Sequence, residues 1–449
     1  MKLKVVNNGL VLPLLMVLAM LASPALQAGA REQAKRIHDR LTGVPATNAV
    51  LDQMETLLGS DTSGKSAAGY AIDTAQNPNA RYFYNVTLKN FAAPWTNEEQ
   101  TVFTPLNDYT ATVIGAIRDG IDFREILFGN LLYIGSAGGI PGYSNSDNNH
   151  YQQLEDLGPI AGDLSDPAIL RGPPQGVTQS GVTGLPPAAT AGVMTSRAGA
   201  MAFFSGGTNR AMFRFTMMNH LCTDLEPLKD VTRSPNRVRR DVSRSPGGDS
   251  RIFLNNCVGC HAGMDGMAGA FAFYEWDYTN DISDGHLAYE ENGNPKFDPV
   301  TGVSLKHNIN ENNFEYGYIT TDDSWVNYWR NGPNSKLGVR PADDGPAASG
   351  WGSYTGMNLD AKGNATGNGA KLLGRELANS RAFAQCQVDK VFKAVCLRDP
   401  NVAASDRSAR DDIVSDFVTP GTNDAAGNTD GAYDMREVFT DTAAYCKGN

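Results

Sequence analysis

Apolar side chains recur every three or four positions in the first third of the chain, lose that rhythm in the middle, and recover it near the end. This spacing marks helices with one buried face. The run REQAKRIHDRLTGVPATNAVLDQMETLLGS predicts a short helix ending near Leu41. After Pro45 it predicts a second, with Val50, Leu51, Met54, Leu57 and Leu58 on one face. TNEEQ has the form of a capping box, Thr96 with Glu99. LNDYTATVIGAIRDGIDFREILFGNLLYIG predicts two amphipathic helices broken around Gly120.

From about Gly135 to Gly192 Gly, Pro, Ser and Asn dominate, which predicts loop with a few short elements. NRAMFRFTMMNHLC restores the helical period. Residues 280–366 are again irregular but hold Trp325, Tyr328, Trp329 and Trp351. SRAFAQCQVDKVFKAVCL predicts one helix, with Ser380 as N-cap and Val388, Val391, Phe392 and Val395 at helical spacing. DMREVFTDTAAYC closes the chain with Met435, Val438, Phe439 and Thr442 on one face. The expected fold is mainly α, with helical modules joined by long irregular loops.

The first thirty residues change the picture. Lys2 and Lys4 precede an apolar run from Leu10 to Leu21, and small residues follow, with cleavage expected after Ala28 or Ala30. That is the form of a secretory signal peptide, too short in its apolar core for a comfortable membrane span. The expected location is periplasmic or secreted, with no transmembrane segment in the mature chain. Without Lys2 and Lys4 there remain 36 basic against 49 acidic side chains, a net charge of −13. Such a balance argues against nucleic acid and anionic lipid as partners, and suits a basic protein partner.

An exported chain is expected to pair its cysteines. Setting Cys257 and Cys260 aside leaves Cys222, Cys386, Cys396 and Cys446. Ten residues of unbroken helix would hold Cys386 and Cys396 roughly 15 Å apart, whereas a disulfide needs α-carbons within about 7 Å. Each therefore pairs with Cys222 or Cys446, and which takes which stays open.

Cys257, Cys260 and His261 stand within five positions in NNCVGCHAGMD. Three chemistries use such a cluster. Structural zinc needs two more ligands at similar spacing, and the nearest histidines, His286 and His307, stand alone. A thioredoxin-type dithiol opens a helix in a βαβ unit, which the surrounding pattern does not predict. Covalent haem attachment accounts for the spacing best. Two thiols three positions apart on a helical turn reach the two vinyl groups of one haem edge, and the adjacent histidine lies beneath the iron. One haem c is the expected cofactor, with His261 as proximal ligand. Met357, His307 and Met267 are the weak candidates for the distal ligand. His286 could approach the same face as Met357 and His307, whereas Met264 ranks below them as a packing residue. Phe253, Phe271 and Phe273 are expected to shield the group. Arg233, Arg237, Arg239, Arg240 and Arg244 either hold propionates or form a solvated linker balanced by its own aspartates, and the second reading is preferred.

CVGCHAGMDGMAGAFAFYEWD resembles the C-x-x-C-H-x-x-M-D-P-x-G core of planctomycete-type cytochrome c proteins, which are large exported single-haem proteins. GVMTSRAGAMAFFSGGTNRAMFRFTMMNHLC and LGRELANSRAFAQCQVDKVFKAVCLRDP are similar to two further segments of that family, and FREILFGNLLYIG is so more faintly. Gly266 stands where the family has proline, and Met267 where it has leucine. The resemblance implies Cys257 and Cys260 as thioether attachment points and His261 as proximal ligand. It supplies no distal ligand and no substrate.

These readings divide the chain into a signal peptide (1–30), an N-terminal helical region (31–135), an irregular segment (136–193) and a c-type haem segment (194–280). An irregular aromatic-containing region (281–366) and a C-terminal helical module (367–449) follow. One-electron transfer with a redox partner protein is the expected function. The rival is a haem-dependent oxidoreductase, oxidase- or peroxidase-like, with an open distal side and residues 280–366 as its pocket.

Overall fold

The computed structural model describes residues 29–204, 207–241, 243–290, 320, 322–335, 350–419 and 433–448. Residues 1–28 of the expected signal segment and His307 lie outside them, while Ala30 begins the first helix. Helices dominate, as the period predicted. α1 (Ala30–Thr42) ends on Gly43, whose φ of 71° closes the turn, and α2 (Asn48–Ser60) is capped by Thr47. Val50, Leu51, Met54 and Leu58 are buried, while Leu57 only borders the core. α3 (Lys65–Ile72) completes the first layer.

α4 (Asp108–Arg118) is buried along its whole length, Asp108, Thr110, Thr112 and Arg118 included, rather than on one face as an amphipathic helix would be. Its cap is Asn107, whose side chain accepts from Thr110 N–H. The capping box at Thr96 is not formed. Thr96 ends a 3₁₀ turn, its hydroxyl donating to Ala93 O, and Asn97 instead accepts from Thr101 N–H, so the chain runs on without a helix. The second helix expected after Gly120 is likewise only a 3₁₀ segment, Phe123–Leu127. Gly129 N–H turns back to Glu125 O and ends it.

The irregular stretch holds α5 (Asn149–Asp156) and a two-residue pairing of β1 (Ile134–Gly135) with β2 (Leu170–Arg171). Tyr151, Leu154, Leu164 and Leu170 carry it into the core. α6 (Arg197–Phe203) starts at Ser196 and leads to α7 (Arg210–Leu221). A single π-helical turn, Phe253–Cys257, then opens α8 (Val258–Ala268). β3 (Tyr274–Asp277) pairs antiparallel with β4 (His286–Tyr289). β5 (Ser324–Asn327), β6 (Asn358–Leu359) and β7 (Ala365–Asn368) form a small antiparallel sheet in the order β5-β7-β6.

The C-terminal module comprises α9 (Gly369–Ala378), α10 (Arg381–Cys396), α11 (Ala404–Val418) and α12 (Met435–Tyr445). Ser380 caps α10 as predicted. Cys222 bonds Cys386 and Cys396 bonds Cys446, so the two cysteines of α10 are anchored to different partners. The first and last described helices meet: α12 packs on α1 and α3, Phe439 lies edge-on to Phe83 and Phe91, and Arg36 donates to Lys447 O. One core cluster runs from Ala34 to Ala443. Among the described residues, no helix is long and apolar enough to cross a membrane.

Candidate functional site

α8 carries the Cys-Val-Gly-Cys-His cluster and packs against α7 and β5. Close approach on that side requires glycine. A Cβ on Gly263 would fall 2.1 Å from Trp329 Nε1, and one on Gly269 would fall 2.4 Å from Ser324 O. With glycine at 266 the helix runs unbroken to Ala268. Trp325, Trp329 and Trp351 are all buried. The described part of the aromatic region therefore packs behind the motif helix.

Segment 225–233 covers another side of the helix. Asp230 N–H donates to Gly259 O, and the Cys260 thiol points at Leu225 O, 3.8 Å away. Burial pushes that thiol's pKa up. Cys257 and Cys260 carry free thiols, whereas the other four cysteines are paired. Around this helical turn lie large apolar side chains exposed to solvent: Leu254 at 58%, Ile252 at 45% and Val231, beside Gly259, at 74%.

His261 is partly exposed and held from behind. Its Nδ1 lies 2.9 Å from Asp265 Oδ2, one helical turn on. Asp265 is shielded from solvent, yet Arg210 donates to it from Nε at 2.8 Å and Arg244 from Nη2 at 2.8 Å. Both arginines also bind Asp241. Burial works against the Asp265 charge, but the hydrogen bonds from His261 and Arg210 outweigh it and hold the carboxyl below its ordinary range. The Phe253 ring sits 5.3 Å from the imidazole, with the Arg244 guanidinium 4.8 Å above it.

The remaining sequence-predicted residues disperse. Met267 is fully buried. Six residues beyond His261 it lies about 240° further round the same helix, on a buried side that His261 does not share. Met264 is a core residue as well. Met357 lies half-buried in the turn before β6, and His286 is exposed on β4 opposite Asp277. Of the three shielding phenylalanines only Phe253 touches His261, since Phe271 packs on Phe204 and Phe273 on Tyr289. The arginine stretch divides. Arg239 and Arg240 are buried against Glu275, which corrects the solvated reading for them, whereas Arg233, Arg237 and Arg244 pair with the stretch's own Asp230 and Asp241, as that reading expected.

Asp265 was not singled out in the sequence, although it stands four residues after His261 on a predictable helix. Its arginine partners come from 55 and 21 residues away and leave no local signal.

The donor set fits a c-type haem. Nδ1 is occupied by a carboxylate, which leaves Nε2 as the free ligand atom, and both thiols stand free on the preceding turn. Among the described residues no three His, Cys, Asp or Glu side chains converge as a zinc site would require. The described strands pair only antiparallel, so the dithiol reading lacks its βαβ scaffold. Compared with family models, curated proteins and solved structures, the chain matches none.

Proposed function

We propose that this chain is an exported c-type cytochrome-like protein carrying one covalently attached haem and passing single electrons to a redox partner protein. Cys257 and Cys260 would form the two thioether links, and His261 would bind the iron through Nε2. The bound group supplies one-electron chemistry. The residues of the chain orient it and limit its exposure to water.

One observation carries the reading. His261 is fixed through Nδ1 to a buried carboxylate while two unpaired thiols stand on the turn before it. That is how a metal-binding histidine is usually held. The exposed apolar rim of Val231, Ile252 and Leu254 supports it, because a porphyrin edge would cover such a surface. Two disulfides support an oxidising compartment, periplasmic or extracellular, and with it the signal peptide. The acidic balance of the chain favours a partner with a basic face.

Visible spectra of the oxidised and reduced protein, with and without carbon monoxide or cyanide, test the function. A low-spin haem indifferent to both ligands is expected for a carrier. A high-spin haem that binds them readily would favour the oxidase- or peroxidase-like alternative.

A further inference from the structure

We infer that Asp265 is the positioning residue for His261, and that the ion cluster of Arg210, Arg244 and Asp241 behind it sets the reduction potential of the bound haem. The inference rests on the haem reading above.

Positions 261 and 265 lie on one face of α8. A neutral imidazole has two tautomers, and the one observed pairing assigns the proton to Nδ1, donated to Asp265 Oδ2. Without an acceptor there the ring could flip or bind iron through either nitrogen. The ring plane is restrained a second time by Phe253, and Arg244 bears on both restraints: it donates to Asp265 and lies over Phe253. Arg210 closes the arrangement by bridging Asp265 and Asp241.

A carboxylate shielded from water is costly unless its oxygens are satisfied. Asp265 Oδ1 accepts from Arg210, and Oδ2 accepts from Arg210, Arg244 and His261. Arg237 also reaches Asp241, at 3.6 Å, so three arginines face two aspartates and the cluster does not cancel; the nearest single charge dominates the field at the imidazole. That charge is the Asp265 oxygen at 2.9 Å. Negative charge behind the ligand favours ferric over ferrous iron, which lowers the potential.

Asp265→Asn keeps the side-chain shape and removes the charge. It is expected to raise the midpoint potential with the haem still attached, and Asp265→Glu to return it toward the original value. Arg244→Gln removes a positive charge from the same cluster and is expected to shift the potential downward. Shifts of opposite sign do not follow from loosened packing. Because Asp265→Asn leaves Arg210, Arg237 and Arg244 with Asp241 as their shared carboxylate and can fail to fold, proton NMR of the unaltered protein provides an independent check. The His261 Nδ1–H resonance should exchange slowly with solvent. An unchanged potential in haem-bearing Asp265→Asn, shifts of the same sign in both variants, or rapid Nδ1–H exchange would overturn the inference while leaving the haem reading intact. An unaltered protein whose intact mass shows no haem would overturn both.

Discussion

His261 depends on its neighbours more than on its own chemistry. Its imidazole is tied to Asp265 and backed by Phe253, so its replacement should disturb ligation without loosening the fold. His261→Ala is expected to retain covalent haem through Cys257 and Cys260 while losing the low-spin spectrum of the original, as absorption spectroscopy would show. At Gly263 the risk is steric. A methyl group there would press on the Trp329 indole. Overpacking costs about 3 kcal/mol, set against about 1 kcal/mol gained in helix propensity. Gly263→Ala should therefore lower stability by about 2 kcal/mol in urea unfolding. The Cys-x-x-Cys-His motif was legible because its three residues fall within five positions. Asp265 was legible only as a helical position. Its partners Arg210 and Arg244 meet it through tertiary packing, which no local pattern encodes.

At the scale of elements, the long helices followed from periodicity and caps, and the short ones did not. α10 was readable from end to end, from its Ser380 cap to the buried Val388, Val391, Phe392 and Val395. Its geometry also forbade a Cys386–Cys396 bridge, and each cysteine does bond elsewhere. The false capping box at Thr96 shows the limit of such signals. A Thr-x-x-Glu spacing is meaningful only where an apolar helical run follows, and here Asn97 takes over the free N–H groups. Cys396–Cys446 closes a 50-residue loop and fastens α12 to α10. Replacing both with serine should cost about 3 kcal/mol, read as a lower thermal midpoint that no longer responds to reductant at this bond.

For the molecule as a whole, buried histidines make stability depend on acidity. His220 is fully enclosed, with Nε2 2.6 Å from the Tyr109 hydroxyl and the Trp95 ring edge-on at 5.3 Å. Burial, with a smaller contribution from the Lys390 charge, holds its pKa well below the ordinary value. His38 is lowered by burial too. In the unfolded chain both protonate near pH 6.5, so below that value the unfolded state binds more protons than the folded one. Their contribution is complete above about pH 6.5 and is lost as pH falls further, at up to about 1.4 kcal/mol per pH unit for each histidine. Urea midpoints should therefore drop between pH 7 and pH 5, and His220→Gln should flatten that decline.

The haem defines the account at this scale, and weighing the intact protein tests it most directly. The chain should be produced in a host that matures c-type cytochromes, purified, and weighed alongside its visible spectrum. The account predicts a coloured protein heavier than its polypeptide by one haem, with Cys257 and Cys260 resistant to thiol alkylation. A colourless protein of bare polypeptide mass, with both thiols open to alkylation, would contradict it.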